Sequence, residues 1–132
     1  MPPEHGSPAD WLRYAQSDLD AAKGPPRGRL LLETLCFHAQ QAVEKSLKAL
    51  LIAKGMEFPR THNLGVLLDL LSSTVSLPAD RIAVAGLTEY AVATRYPGEE
   101  EPVSEEQYHE AVRLAEAVVS WAEGILRRSG AL

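Results

Sequence analysis

Three cationic side chains, an imidazole and a phenol are the groups in this chain whose types and spacing suit a phosphate ester. Lys45 and Lys48 stand three apart in a strongly helical stretch, so their ammonium groups project from one side of one helix. Arg95 and Tyr96 end a later helical stretch. They would reach the same place if the two helices were neighbours, with cations on phosphate and the phenol ring against a base. His62 precedes a short leucine-rich helix, and an imidazole is a group able to move a proton. Lys45, Lys48, His62, Arg95 and Tyr96 are therefore the candidate nucleotide or phosphate site.

Each of these residues also has a structural reading. Lys45 and Lys48 can be exposed helix charges, with Lys48 following Glu44 by four residues and able to pair with it. Arg95 can answer the negative end of its own helix, and Tyr96 can pack ahead of the Pro97-Gly98 stop. His62 can order the loop before a helix start. The sequence leaves both readings open.

Other chemistry is harder to find. Glu106 and His109 have the Glu-x-x-His spacing of carboxylate-bridged metal bundles, but such a site takes a second copy and two further inward carboxylates. The pair falls on a polar helix face, and Cys36 has no partner at metal-ligand spacing, so neither metal nor cofactor is expected. There is no Gly-x-Gly-x-x-Gly or glycine-lysine phosphate loop, and Ser, His and Asp do not fall at triad spacing. No residue is assigned a catalytic role.

Amphipathic helices must position these groups. Ser7-Pro8-Ala9-Asp10 is a helix start, followed by Trp11, Leu12, Ala15, Leu19 and Ala22 on one face, and Gly24-Pro25-Pro26 ends that helix. A second helix, about Arg29 to Lys54, buries an arc including Leu35, Cys36, Ala39, Val43, Leu47 and Leu50. Its opposite, polar arc carries His38, Gln40, Gln41, Glu44, Lys45 and Lys48, with Phe37 among them. Thr61 caps a short third helix bearing Leu64, Leu67, Leu68 and Leu71. Pro78 opens a fourth that runs through Ile82, Ala85, Tyr90, Val92 and Ala93 to Arg95-Tyr96. Ser104-Glu105-Glu106-Gln107 is a capping box for a long fifth helix, whose stripe from Tyr108 to Leu126 is widened by Leu114, Val118, Trp121 and Ile125. The fold class is all-α: an antiparallel up-and-down four-helix bundle with one additional short helix.

Composition agrees. The chain has 132 residues, 45% of them hydrophobic and 23% charged, which suits one globular domain with a core of about 8–128 and flexible tails at 1–6 and 129–132. A single cysteine rules out an intramolecular disulfide and points to a cytoplasmic location. No apolar run approaches membrane-spanning length. The net charge of −5 argues against an extended nucleic-acid surface.

The string Phe37-His38-Ala39-Gln40-Gln41-Ala42-Val43-Glu44-Lys45-Ser46-Leu47-Lys48-Ala49-Leu50-Leu51 strongly resembles the second helix of HEPN domains. Gly55, then Thr61-His62-Asn63-Leu64 before a leucine-rich helix, then Arg95-Tyr96-Pro97, follow in the family's order. The similarity runs from about Trp11 to Leu126. It implies a bundle, usually dimeric, related to the substrate-binding helical domain of kanamycin-type nucleotidyltransferases. Family members are often encoded beside a minimal nucleotidyltransferase in toxin–antitoxin-like systems, and nucleotide binding is part of the family's name. Many are metal-independent ribonucleases that use an arginine followed, after four to six residues, by a histidine. None of Arg13, Arg27, Arg29, Arg60, Arg81, Arg95, Arg113 and Arg127 has a histidine in that window.

The resulting expectation is a non-catalytic protein that forms a homo-oligomer, in the simplest case a dimer, and binds a nucleotidyltransferase, with capacity for a nucleotide ligand. Phe37, His38, Gln41, Trp121 and Ile125 are its candidate interface. His38 and Gln41 are placed there because the sequence shows no partner that would orient a base. Tyr90 and Tyr96 are among the tyrosines such a partner could nucleotidylate. The alternatives are a ribonuclease with a displaced acid-base pair such as Arg95 and His62, and a stand-alone binder of small nucleotides.

Overall fold

The computed structural model describes residues 6–24, 28–72, 75–91 and 102–132. Its elements are α1 (Pro8–Lys23), α2 (Leu32–Ala53), α3 (Leu64–Leu71), α4 (Arg81–Gly86) with a 3₁₀ segment (Leu87–Ala91), and α5 (Glu105–Arg128). The described residues contain helices and no strand, as the apolar periodicity requires.

Two capping boxes set the starts of α1 and α5. Ser7 accepts from the Asp10 amide while Asp10 reaches back to the Ser7 amide, and Ser104 and Gln107 do the same for α5. At the end of α2, the Gly55 amide donates to the Ile52 carbonyl and the Met56 amide to that of Leu51. This closure needs a left-handed residue, which Gly55 supplies at φ 68°. α2 begins at Leu32 without a side-chain cap. Its first-turn Glu33 instead accepts the Val103 amide, tying the start of α2 to the approach to α5.

Cross-helix pairs establish direction. Lys23 meets Glu116 at 2.7 Å and Gln16 meets Glu123 at 3.3 Å, so α1 and α5 are antiparallel. Asp18 reaches Lys45 at 2.7 Å, and Trp11 lies under Lys48, so α1 and α2 are antiparallel as well. α2 and α5 therefore run the same way. The Tyr108 hydroxyl donates to the Ala22 carbonyl at 2.6 Å and satisfies an acceptor in the last turn of α1. Burial pushes that phenol above its usual range, which keeps the donor protonated.

α2 is enclosed by its neighbours. Thirteen of its 22 residues are buried, more than one face of a helix supplies, because it packs against α1, α3, α5 and the 3₁₀ segment. The core joins Leu35, Val43, Leu47 and Leu50 of α2 to the leucines of α3 and to Leu114 and Leu126 of α5. Cys36 is buried there, as its leucine-rich setting suggests.

The structure corrects several local expectations. Gln40, Glu44 and Lys48, expected on a solvated arc, are buried, because that edge of α2 faces α1 and the loop before α3. The fourth helical stretch starts at Arg81 behind an Asp80 cap and tightens into a 3₁₀ turn at Leu87. Ile82, on that stretch, points outward at 79% exposure. Asn63, not Thr61, caps α3, its side chain accepting from the Gly65 amide. Val92, Ala93, Arg95 and Tyr96 lie outside the described residues.

Tyr108→Phe should cost about 1–2 kcal/mol in urea unfolding, because the Ala22 acceptor is left buried and unpaired. Ile82→Ala, at a solvent-facing position, should change stability by less than about 0.5 kcal/mol.

Candidate functional site

The centre of the site is Glu44, whose side chain is only 4% exposed. A carboxylate removed from water needs partners for both oxygens. Lys48, one helical turn later, donates to Oε2 at 2.9 Å. Oε1 accepts from Gln40 Nε2 at 3.1 Å and lies 2.9 Å from His62 Nδ1, with Gln41 Nε2 more distant at 3.4 Å. Burial alone would raise the Glu44 pKa. The hydrogen bonds from Lys48 and His62, the Lys48 charge and the Gln40 amide more than offset this, and the carboxyl sits below its usual range. An ionised carboxylate only accepts, so His62 Nδ1 carries the proton of this bond, and whenever the ring is neutral Nε2 keeps its lone pair.

His62 is held through its backbone too. Gln40 Nε2 donates to the His62 carbonyl at 3.1 Å, and Gln41 donates to Gln40 Oε1 at 2.7 Å. The loop is pinned on its other side, where the Asn63 amide donates to Thr61 Oγ1 and the Leu64 amide to Thr88 Oγ1 in the 3₁₀ segment, both at 3.0 Å. The imidazole itself remains 68% exposed.

A second cluster has the same composition. Asp18 of α1 holds His38 Nδ1 at 3.0 Å on one oxygen and Lys45 Nζ at 2.7 Å on the other. Each carboxylate thus joins one lysine of α2 to one histidine. Aromatic rings lie near both ammonium groups. Lys48 Nζ is 5.7 Å from the Trp11 centroid and 5.8 Å from that of Phe58, and Lys45 Nζ is 5.9 Å from that of Tyr14. These cation–π contacts add to the ion pairs.

Lys48 and His62 thus meet at Glu44, whereas Lys45 is joined with His38 at Asp18, and both ammonium groups are committed to internal carboxylates. Arg95 and Tyr96 lie outside the described residues. Phe37, His38 and Gln41 are half-buried on the same face, the Phe37 ring standing edge-on to His38 at 5.7 Å. Trp121 and Ile125 are on α5, partly buried against the core. Tyr90 is only 7% exposed, so the folded chain does not offer it for modification. Glu106 and His109 are exposed, and no group of three or more potential metal ligands occurs among the described residues.

The structure supplies a feature that the sequence does not show. Base-orienting carboxylates are present: Asp18 for His38 and Glu44 for His62. Asp18 gives no signal in the sequence because it is 20 residues from His38 and on another helix. For Gln40 and Glu44 a signal did exist. They share a row with Lys48 at four-residue steps, and that row borders the buried arc.

Lys48→Met should destabilise the protein by about 3–5 kcal/mol, since it strands a buried carboxylate. Adding Glu44→Gln should recover part of that loss, a coupling that a double-mutant cycle in urea measures. The pH dependence has a definite sign. Because the Glu44 pKa is lowered on folding, its contribution is complete above the unfolded-state value of about 4.3 and is lost as pH falls through the folded value. Stability should therefore drop on acidification below about pH 5, with a shallower slope in Glu44→Gln.

Comparison with known proteins gives a consistent result. The HEPN domain model matches residues 8–125. The chain is similar to the crystal structure of TT1696 from Thermus thermophilus, with 31% identity and a TM-score of 0.72 over 89% of this chain and 96% of that one. It is also similar to ST0689, an archaeal HEPN homologue, with 29% identity and a TM-score of 0.71 over 91% of this chain and 98% of that one. No match to a protein of curated function was found.

Proposed function

Because this chain belongs to the HEPN domain family, we propose that it works as a binding partner, self-associating and docking a minimal nucleotidyltransferase, without cleaving RNA on its own. The observation that carries this reading is the internal neutralisation of Lys45 and Lys48 by Asp18 and Glu44. A face that recognises RNA presents free cations to phosphates. This face presents His38, Gln41 and His62, with the Phe37 ring edge-on to His38, a mixture of hydrogen-bonding groups and aromatic surface that suits a protein partner. A nucleotide phosphate would have to displace a carboxylate to reach either lysine, so direct nucleotide binding is the weaker part of the expectation.

Light scattering of the purified protein should give a dimer or larger species, and co-expression with a nucleotidyltransferase from the adjacent reading frame should yield a complex. The paired substitution Phe37→Ala with Gln41→Ala should weaken that complex by roughly thirtyfold with an unchanged circular dichroism spectrum. A monomer that captures no such partner defeats the reading.

A second reading is favoured by one specific observation, the orientation of His62 by Glu44 at 2.9 Å. It casts His62 as the general base of a ribonuclease. Cleavage of RNA by the purified chain, abolished in His62→Ala, would establish it over the first.

A further inference from the structure

A buried polar network with a single solvent-facing imidazole demands a reason. Gln40, Glu44 and Lys48 are all less than a tenth exposed, and burying them is costly unless each is satisfied. An exposed imidazole needs none of them for its own solvation. Yet the network fixes His62 twice, by its carbonyl through Gln40 and by Nδ1 through Glu44. The ring is held with Nδ1 on a carboxylate, and Nε2, which bears the lone pair in the neutral ring, has no partner among the described residues. That is the arrangement of an oriented nitrogen nucleophile.

We infer that His62 Nε2 is a covalent acceptor of phosphoryl groups, a modification site on the α1–α2 face. The inference does not depend on the partner proposed above. The donor belongs to the class with a labile P–N or phosphoanhydride bond. The Nε2 lone pair attacks phosphorus, the Nε2–P bond forms, and the bond from phosphorus to the leaving amine or diphosphate breaks with its electron pair. The proton on Nδ1 stays in the hydrogen bond to Glu44, whose negative charge balances the positive charge developing on the ring. Lys48 is a positioning residue, since it acts only through Glu44. A phosphoryl group on His62 would add negative charge to this face and so would alter any docking there.

The chain carries its own controls. His38 has the same type of carboxylate partner but is half as exposed, 34% against 68%, and is flanked by the Phe37 ring. His109 is exposed, with a ring contact to Tyr108 and no carboxylate in contact among the described residues.

The test is treatment of the intact protein with potassium phosphoramidate at mildly alkaline pH, with tandem mass spectrometry under non-acidic conditions. His62 should be phosphorylated several-fold faster than His109 and His38, and Glu44→Gln should erase that lead. Should Glu44→Gln fail to fold, the wild-type protein in urea replaces it, and there the rates at His62 and His109 should become equal. Protein isolated from its source cells should carry an acid-labile phosphoryl group at His62. Equal rates in the folded protein, a lead that survives Glu44→Gln or urea, or native protein unmodified at His62 would each overturn the assignment.

Discussion

A carboxylate in the middle of a helix bundle is tolerated only when charge and hydrogen bonds replace the water it has lost. Glu44 meets that demand with Lys48 on its own helix, Gln40 one turn earlier, and His62 from the loop after the helix. The demand reaches well beyond the residue. It fixes the rotamers along one edge of α2, draws the segment before α3 back against that helix, and places Trp11 and Phe58 over the Lys48 ammonium. The polar face of the molecule is thus an outgrowth of a buried requirement and not a scatter of surface charge.

Helix order makes this arrangement available. α1 and α5 meet along a seam of Lys23–Glu116 and Gln16–Glu123, with Tyr108 closing the end of α1. α2 lies against both and also receives α3 and the 3₁₀ segment. A helix so enclosed has no wide solvent face, and its polar row must find partners in neighbouring elements. Asp18 on α1 serves Lys45 and His38 in the same way that Glu44 serves Lys48 and His62. The outcome is a face on which Lys45 and Lys48 are both paired with carboxylates of the same chain.

Much of the scaffold was legible in the residues. Proline after serine at the start of α1, the Ser104–Gln107 box and Gly55 have meanings set by backbone hydrogen bonding within a few positions. The leucine spacing named the inner faces of α2, α3 and α5 because helical period alone decides which side chains share a side. The order of motifs around Phe37-His38 and Thr61-His62 pointed to the family that the comparison then showed. Lys48 was correctly paired with Glu44, since a four-residue step brings the two together on any helix.

What the linear order of residues determined by itself was therefore local: caps, stops, apolar stripes, the all-helical class and the chemical types on α2. The tertiary structure alone decided that Glu44 and Lys48 are buried, that Asp18 reaches His38 and Lys45 across 20 and 27 positions, and that His62 is oriented by a carboxylate. The physical reason is that charge pairing and desolvation depend on which surfaces are brought together. A helical period says which residues share a face, whereas what that face meets is settled by the packing of other helices.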